Sequence, residues 1–456
     1  MKKLTPWMLI AFLGMVGCSS DNDDNDEVTP PAPVAMTKIQ VVHASPDAPL
    51  VNLILDGTEI AADVDYKQAT GIAELAAGSH TAEVKAILPD GTTIDAFEAV
   101  TADLTQDLVY SVLAVNDTAN IEPLILTRSD EVIASTDARV QIVHAAPQAP
   151  MVDVYVTEPD ADLGQSSALV TASFKDSLDA TTVPAGDYQI RITLAGDADS
   201  VVFDSGAISL PGGADWLVAA IENTGPGDQP VNLLLVSESG ATELLDTNTP
   251  AEVRVVHASA DAPAVDVVAN DNFEAPLIED LGFAEFAGYV DLAADSYNVK
   301  VVPAGTETPV VIDADLDLMA GTAYNVIAAN ELASIAPLVL TADNRRVATE
   351  SKLRIVHASP TAANVDIYLV EVGTDISTVA PTLADVAFLA DTDFLSVAPG
   401  SYDVVVTATG SSDAAIGPVT ITLDAAGVYT AIARDAEGGG APLGLILLDD
   451  FVVETF

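Results

Sequence analysis

The chain has 456 residues, 69 acidic and only 16 basic, for a formal net charge of −53. No cluster of Lys and Arg is present to displace counterions, so nucleic-acid binding is excluded and direct adsorption to anionic lipid is disfavoured. Hydrophobic residues make up 49% and aromatics 5%, which rules out wholesale disorder and suits valine-rich strands.

Met1-Lys2-Lys3 is a short positive segment, and Leu4 to Val16 is an apolar run of the length expected for a signal peptide. A membrane span needs about 20 residues, more than this run supplies. The run ends in Gly14-Met15-Val16-Gly17-Cys18-Ser19. This resembles the bacterial lipobox, in which cysteine follows a small residue and becomes the lipidated N-terminus after cleavage. Met15 stands where that pattern usually has Leu. Residues 1–18 are therefore expected to be a lipoprotein signal peptide with lipidation at Cys18, and the resemblance implies an anchor without a transmembrane helix. Ser19, in place of the Asp that marks inner-membrane retention, points to the outer membrane of a Gram-negative envelope. Cys18 is the only cysteine, so neither an internal disulfide nor a thiolate metal site is expected. Residues 19–36 carry Asp21-Asn22-Asp23-Asp24-Asn25-Asp26-Glu27 and then Pro30, Pro31 and Pro33. Like charges repel and prolines extend the chain, so this segment reads as a disordered tether.

Beyond the tether one string recurs four times, as Val42-His43-Ala44-Ser45-Pro46, Val143-His144-Ala145-Ala146-Pro147, Val256-His257-Ala258-Ser259-Ala260 and Val356-His357-Ala358-Ser359-Pro360. The histidines lie 101, 113 and 100 residues apart, and 99 residues follow the last. Nine residues after each histidine stands Asn52, Asp153, Asp266 or Asp366. A turn leading into a strand follows at Gly78-Ser79-His80, Gly186-Asp187-Tyr188, Asp295-Ser296-Tyr297 and Gly400-Ser401-Tyr402. Then an aromatic opens another apolar run at Tyr110, Trp216, Tyr324 and Tyr429. Short valine-rich runs alternate with Gly, Pro, Asp and Asn, and Asp56-Gly57 and Asp90-Gly91 suit hairpin turns. The pattern predicts an all-β chain of four tandem immunoglobulin-like β-sandwiches over residues 37–133, 138–247, 251–347 and 351–456. Short links between them predict a semi-rigid string, on the order of 100–150 Å long.

The repeated string, the Val-Asp-Val that follows it and the later Gly-x-Tyr turn resemble the family called domain of unknown function 4397. The resemblance covers nearly all of the chain beyond the tether. It implies modules of secreted and surface-anchored microbial proteins, often in tandem, with no settled activity. Departures from its pattern are Ala146 for Ser, Ala260 for Pro, Asn52 for Asp and Asp295 for Gly.

Alternation along the first strand of each unit puts Ile39, Val41 and His43 on an inward face, with Lys38, Gln40 and Val42 opposite. His144, His257 and His357 take the same place. The histidine then ends the inward face, where it is expected to hydrogen-bond backbone of the turn that follows. A catalytic zinc site wants about three protein ligands, and each unit offers one such histidine with an acid that is Asn52 in the first copy. Ser45, Ser259 and Ser359 neighbour the histidine, but the second copy has Ala146. No metal, cofactor or catalytic set is expected, and His43, His144, His257, His357, Asn52, Asp153, Asp266 and Asp366 read as structural. The function expected is that of a non-enzymatic envelope lipoprotein, a surface spacer, adhesion or structural component, attached to membrane through Cys18. The alternative is a ligand-binding lipoprotein for glycans or divalent cations, with an envelope protein or glycan as partner.

The excess of acid makes one measurable demand. Salt screens self-repulsion, with a Debye length of about 3 Å at 1 M against about 30 Å at 0.01 M. Melting temperature is expected to rise across that range, and scanning calorimetry in a salt series checks it. A flat response would contradict the demand.

Overall fold

The computed structural model describes residues 34–449 and 452–453. Cys18, the predicted signal peptide and nearly all of the predicted tether lie outside the described residues. The regular structure of the described chain is almost entirely strand, with a few three-residue 3-10 turns.

In the first repeat the strands are β1 (Met36–His43), β2 (Val51–Leu55), β3 (Thr58–Val64), β4 (Ala73–Ala76), β5 (Gly78–Ile87), β6 (Thr93–Asp95), β7 (Val100–Leu104), β8 (Leu108–Val115) and β9 (Glu122–Ser129). They form two sheets. One has the order β4-β1-β8-β9, and in the other β3, β2 and β5 lie side by side with β6 and β7 both on β5. β1 and β8 run parallel, with Val41 opposite Val112 and His43 opposite Ala114. Parallel neighbours need a long crossover, and here the crossover holds the entire second sheet together with β4. The same parallel pairing recurs with His144 opposite Ala220, His257 opposite Ala328 and His357 opposite Ala433. Four β-sandwiches result. Asp56-Gly57 forms the β2–β3 turn with both residues at positive φ, as a tight hairpin requires.

Each sandwich has its own core between its two sheets. In the first it gathers Val41, Val51, Leu53, Val64 and Val84. In the second it includes Ile142, Val154, Ile192, Phe203 and Leu233. The third and fourth are built alike around Val255, Val267 and Ile312, and around Ile355, Ile367 and Ile421.

The other face of each β1-type sheet is buried too, which corrects the picture of a string of separate modules. Val42, Ala44, Leu113, Val115 and Leu126 of the first repeat pack against Val143, Leu217, Ala219, Ile221, Leu234 and Val236 of the second. Repeats three and four do the same through Val256, Ile327 and Ala329 against Val356, Ile432, Ile446 and Leu448. Gln40 and Val42, on the face opposite the inward one, are fully buried. The physical reason is area. Each of the Val, Leu and Ile side chains among them gains about 1.5–3 kcal/mol by leaving water, so the two outer faces cover one another. Sheets buried on both faces read as nearly continuous apolar runs, as Leu108-Val109-Tyr110-Ser111-Val112-Leu113-Ala114-Val115 does.

Polar contacts fix the register of these pairings. Gln40 donates across the first interface to the Ser237 carbonyl at 2.6 Å. The Asp215 carboxylate of repeat two accepts from Arg128 of repeat one at 3.0 Å and from Arg139 at 2.6 Å. Burial pushes the Asp215 pKa up, but the two guanidiniums outweigh it and hold the group below the ordinary carboxylate range. The link between repeats three and four also reaches the first. Arg345 donates to the Ala48 carbonyl at 2.9 Å and to Asp65 at 2.6 Å, and Ala348 N donates to the Asp47 carbonyl at 2.8 Å.

A pair of sandwiches that shares a core should unfold together. Ile432→Ala, on the repeat-four side of the second interface, is expected to cost about 2–5 kcal/mol. Hydrogen exchange read by mass spectrometry should show protection falling in repeats three and four alike, with repeats one and two unchanged. Loss confined to repeat four would show that the pairs do not cooperate.

Candidate functional site

The histidine motif is the first of the recurrent chemistry-bearing features that the sequence singles out, so the site begins there. His43, His144, His257 and His357 are all buried, none more than 2% exposed. Each closes a β1-type strand, with its ring turned back over the loop that follows. Nε2 lies 3.1 Å from the Pro49 carbonyl in repeat one, 3.2 Å from that of Pro150, 3.0 Å from that of Pro263 and 3.2 Å from that of Ala363. A carbonyl only accepts, so Nε2 carries the proton. Nδ1 is then an acceptor, and it takes the backbone N–H of Ser45, Ser259 or Ser359 at 3.3–3.4 Å. In repeat two, where Ala146 replaces serine, Nδ1 of His144 has no partner.

The serine hydroxyls face elsewhere. Ser45 Oγ donates to the Asn116 carbonyl at 2.5 Å, and Ser359 Oγ donates to the Asp435 carboxylate. Neither is paired with the histidine ring. Burial, opposed in part by the hydrogen bond to Pro49, pushes the His43 pKa down to about 4. Burial also lowers that of His144, His257 and His357.

A second element completes the clamp, and sequence reasoning missed it. The histidine backbone exchanges two hydrogen bonds with a distant turn. In repeat one Lys67 N donates to the His43 carbonyl at 2.9 Å, and His43 N donates to the Gln68 carbonyl at 2.9 Å. Lys175, Ala284 and Leu389 stand where Lys67 does, each donating at 2.8 Å. All four are non-glycine residues at positive φ, between 63° and 72°. Such a conformation costs about 1–3 kcal/mol and persists only where its surroundings impose it. The residue before each is aromatic. Tyr66, Phe283 and Phe388 meet the ring of His43, His257 and His357 edge-on, with centroids 6.2 Å apart, and Phe174 packs into the interface with repeat one. Only the aromatic could have betrayed this turn, since nothing in Lys, Ala or Leu announces positive φ.

The acid nine residues on is not near the histidine clamp's hydrogen bonds. It ties the edge strand of the second sheet to the turn that follows the neighbouring strand on the other side. Asp266 accepts from Asp280 N and from Gly305 N, both at 2.8 Å. Asp366 accepts from Asp385 N at 2.9 Å and Gly410 N at 2.8 Å. Asp153 accepts from Thr171 Oγ1 at 2.5 Å and Gly196 N at 2.7 Å. The glycine turns need positive φ, which Gly196, Gly305 and Gly410 adopt. Asn52 has one acceptor oxygen and keeps one of the two bonds, from Asp63 N at 3.0 Å. In repeat one the other turn closes on itself, Thr92 N donating to Asp90 at 2.9 Å.

The Gly-x-Tyr turns are equally occupied. Tyr188, Tyr297 and Tyr402 donate to the carbonyl four residues earlier, at 2.8, 3.1 and 2.8 Å. His80 replaces the tyrosine in repeat one and reaches the Ala76 carbonyl in the same way at 2.7 Å. Its other nitrogen meets Asp56 at 2.6 Å, and these two bonds, Asp56 first, raise its pKa. Among the described residues no group of three or more His, Cys, Asp or Glu is placed to hold a metal ion.

The sequence profile described as Domain of unknown function (DUF4397) matches residues 37–155 and 251–368. A solved structure titled "The Bacillus anthracis TIE protein" is similar at 10% identity and a TM-score of 0.16, over 89% of this chain and 69% of that one. No curated protein matches the chain.

The buried histidine makes stability depend on pH with a definite sign. Its folded pKa lies below the unfolded value near 6.5, so the unfolded chain binds the extra proton. The clamp's stabilisation is therefore complete above about pH 6.5 and is lost as pH falls towards about 4. His43→Gln is expected to lower stability at pH 8 by about 1–3 kcal/mol. It should also flatten the loss below pH 6.5 by up to about 1.4 kcal/mol per pH unit. Urea unfolding of both chains between pH 8 and pH 4.5 reads the two slopes, and equal slopes would sink the assignment.

Proposed function

Because the chain belongs to the family Domain of unknown function (DUF4397), we propose that it is a non-enzymatic envelope lipoprotein whose four sandwiches serve a structural, spacing or adhesive role at the cell surface. The observation that carries this reading is the use made of the repeated residues. In every copy the motif histidine, the acid or amide nine residues on and the Gly-x-Tyr aromatic hydrogen-bond the chain's own loops. Catalysis needs an acid, base or nucleophile set converging on a free reacting position, and here each ring nitrogen with a partner has spent itself on backbone. Four copies of a module held this way supply surface and rigidity.

The anchor rests on the sequence alone. Gly17-Cys18-Ser19 follows the apolar run, and a cysteine acylated there would tie the sandwiches to a membrane through lipid chains. The outer membrane is the proposed site, with an envelope protein or glycan as the partner to seek. Labelling with a fatty-acid analogue in cells is expected to mark the wild type and not Cys18→Ser, with the variant moving from the membrane to the soluble fraction. An unlabelled wild type, or a variant still in the membrane fraction, would refute the anchor.

A further inference from the structure

Apolar gaps lie between the sheets of the first and the third sandwich. A gap of about 60 Å³ lies between the sheets of repeat three, walled by Val299, Ile312, Ala314, Val326, Pro337 and Val339. Another of about 60 Å³ lies in repeat one, walled by Ala82, Val84, Val112, Pro123 and Ile125. The two occupy the same place in the fold. Pro123 stands opposite Ala114 and Ile125 opposite Val112, just as Pro337 stands opposite Ala328 and Val339 opposite Val326.

The sister repeats show what is missing. At the position of Pro123 and Pro337, repeat two has Leu233 opposite Ala220, and repeat four has Leu445 opposite Ala433. Leu233 is buried in the core of its sandwich, and Leu445 packs against the core of its own. A branched alkyl group of the protein therefore fills in repeats two and four the space that stays open in repeats one and three. The facing strand widens the difference in repeat three, where Ala314 stands opposite Val299.

The walls select the occupant. They are almost entirely carbon, so a polar ligand would lose its water without gaining a hydrogen bond. The gap reaches the surface under an edge strand at Ile125 and Val339, which are 42% and 41% exposed. Proline in that edge strand lacks the N–H that an added peptide strand would use. Asp315 stands at the rim in repeat three and opposes an anionic head group there, and in repeat one His80 lines the gap with Asp56 already against its ring. We propose that repeats one and three each take one alkyl chain of a free, uncharged single-chain amphiphile. Its terminal carbons enter between the sheets, and the remainder lies along the edge over Ile125 or Val339.

The test uses the full chain with labelled Ile, Leu and Val methyl groups, titrated with 1-hexanol and followed by NMR. Shifts are expected at Val299, Ile312 and Val326 and at Val84, Val112 and Ile125, with repeats two and four silent. Hexanoate should bind more weakly. Pro337→Leu supplies the missing alkyl group and is expected to weaken binding at repeat three by about tenfold or more, leaving repeat one as it was. If that variant's own spectrum shows a disturbed fold, Ala314→Leu fills the gap from the opposite sheet. No shift at these methyls up to the solubility limit of hexanol would overturn the proposal. So would equal binding in repeats two and four, or binding undiminished in a filled variant, and hexanoate binding as well as hexanol would overturn its uncharged head.

Discussion

The sheet that carries the histidine motif is buried on both faces, and most other features follow from that. One face closes the sandwich and the other closes a pair of sandwiches, so the β1-type strands lie in the middle of four stacked sheets. Polar groups brought there must find partners within the protein. The histidine meets this demand as a neutral ring with one donor and one acceptor aimed at the loop after its own strand. Burial disfavours a charged ring in that position, and it drives the His43 pKa down to about 4. The strained turns at Lys67, Lys175, Ala284 and Leu389 belong to the same demand. They bring an N–H and a carbonyl to the histidine backbone where the strand's own ladder ends.

Double burial also sorts the charges. Arg128, Arg139, Arg254, Lys352 and Arg354 are all buried. Arg128 and Arg139 converge on Asp215, while Arg254 lies over the Tyr289 ring at 4.2 Å and Arg354 over the Phe394 ring at 4.3 Å. The few cations thus work where sheets meet, and the acidic excess is left to the exterior. An exterior of one sign keeps such a protein soluble and repels polyanions. The composition implies that sign, and the placement of the arginines strengthens it, since several of the 16 basic residues are withdrawn from the surface.

The sandwiches and their recurrent residues were legible in the sequence because they rest on local rules. Alternation marks strands, Asp-Gly marks a hairpin, and a repeated string marks a repeated unit. The pairing of sandwiches was harder to see. Alternation along Ile39, Val41 and His43 identifies an inward face, but it cannot say whether the opposite face meets water or another sheet. Gln40 and Gln141 made that face look half polar, and only the nearly continuous apolar run at Leu108 to Val115, broken by Ser111, hinted at double burial. The destination of Asp153, Asp266 and Asp366 was hidden for another reason. Five of their six partners are backbone N–H groups far along the chain, which any residue type supplies, and the sixth is the Thr171 hydroxyl. The substitutions in repeat one become intelligible once the partners are known. Asn52 gives up one bond because the facing turn closes itself through Asp90, and His80 reaches the carbonyl that a tyrosine reaches elsewhere.

Two patterns cross in the four repeats, and together they identify the unit that was duplicated. The interface residue in the middle of the β1-type strand is Gln40 and Gln141 in the first pair but Arg254 and Arg354 in the second. That feature follows the pair. The edge residue is Pro123, Leu233, Pro337 and Leu445 in turn, and that feature follows the position within a pair. Both are satisfied if a two-sandwich body, already differentiated into a proline half and a leucine half, was copied whole, and its interfaces then diverged. The rings that cover the two guanidiniums come from their own repeats, Tyr289 of repeat three over Arg254 and Phe394 of repeat four over Arg354, so each arginine brought its cover with it when glutamine and arginine faces diverged.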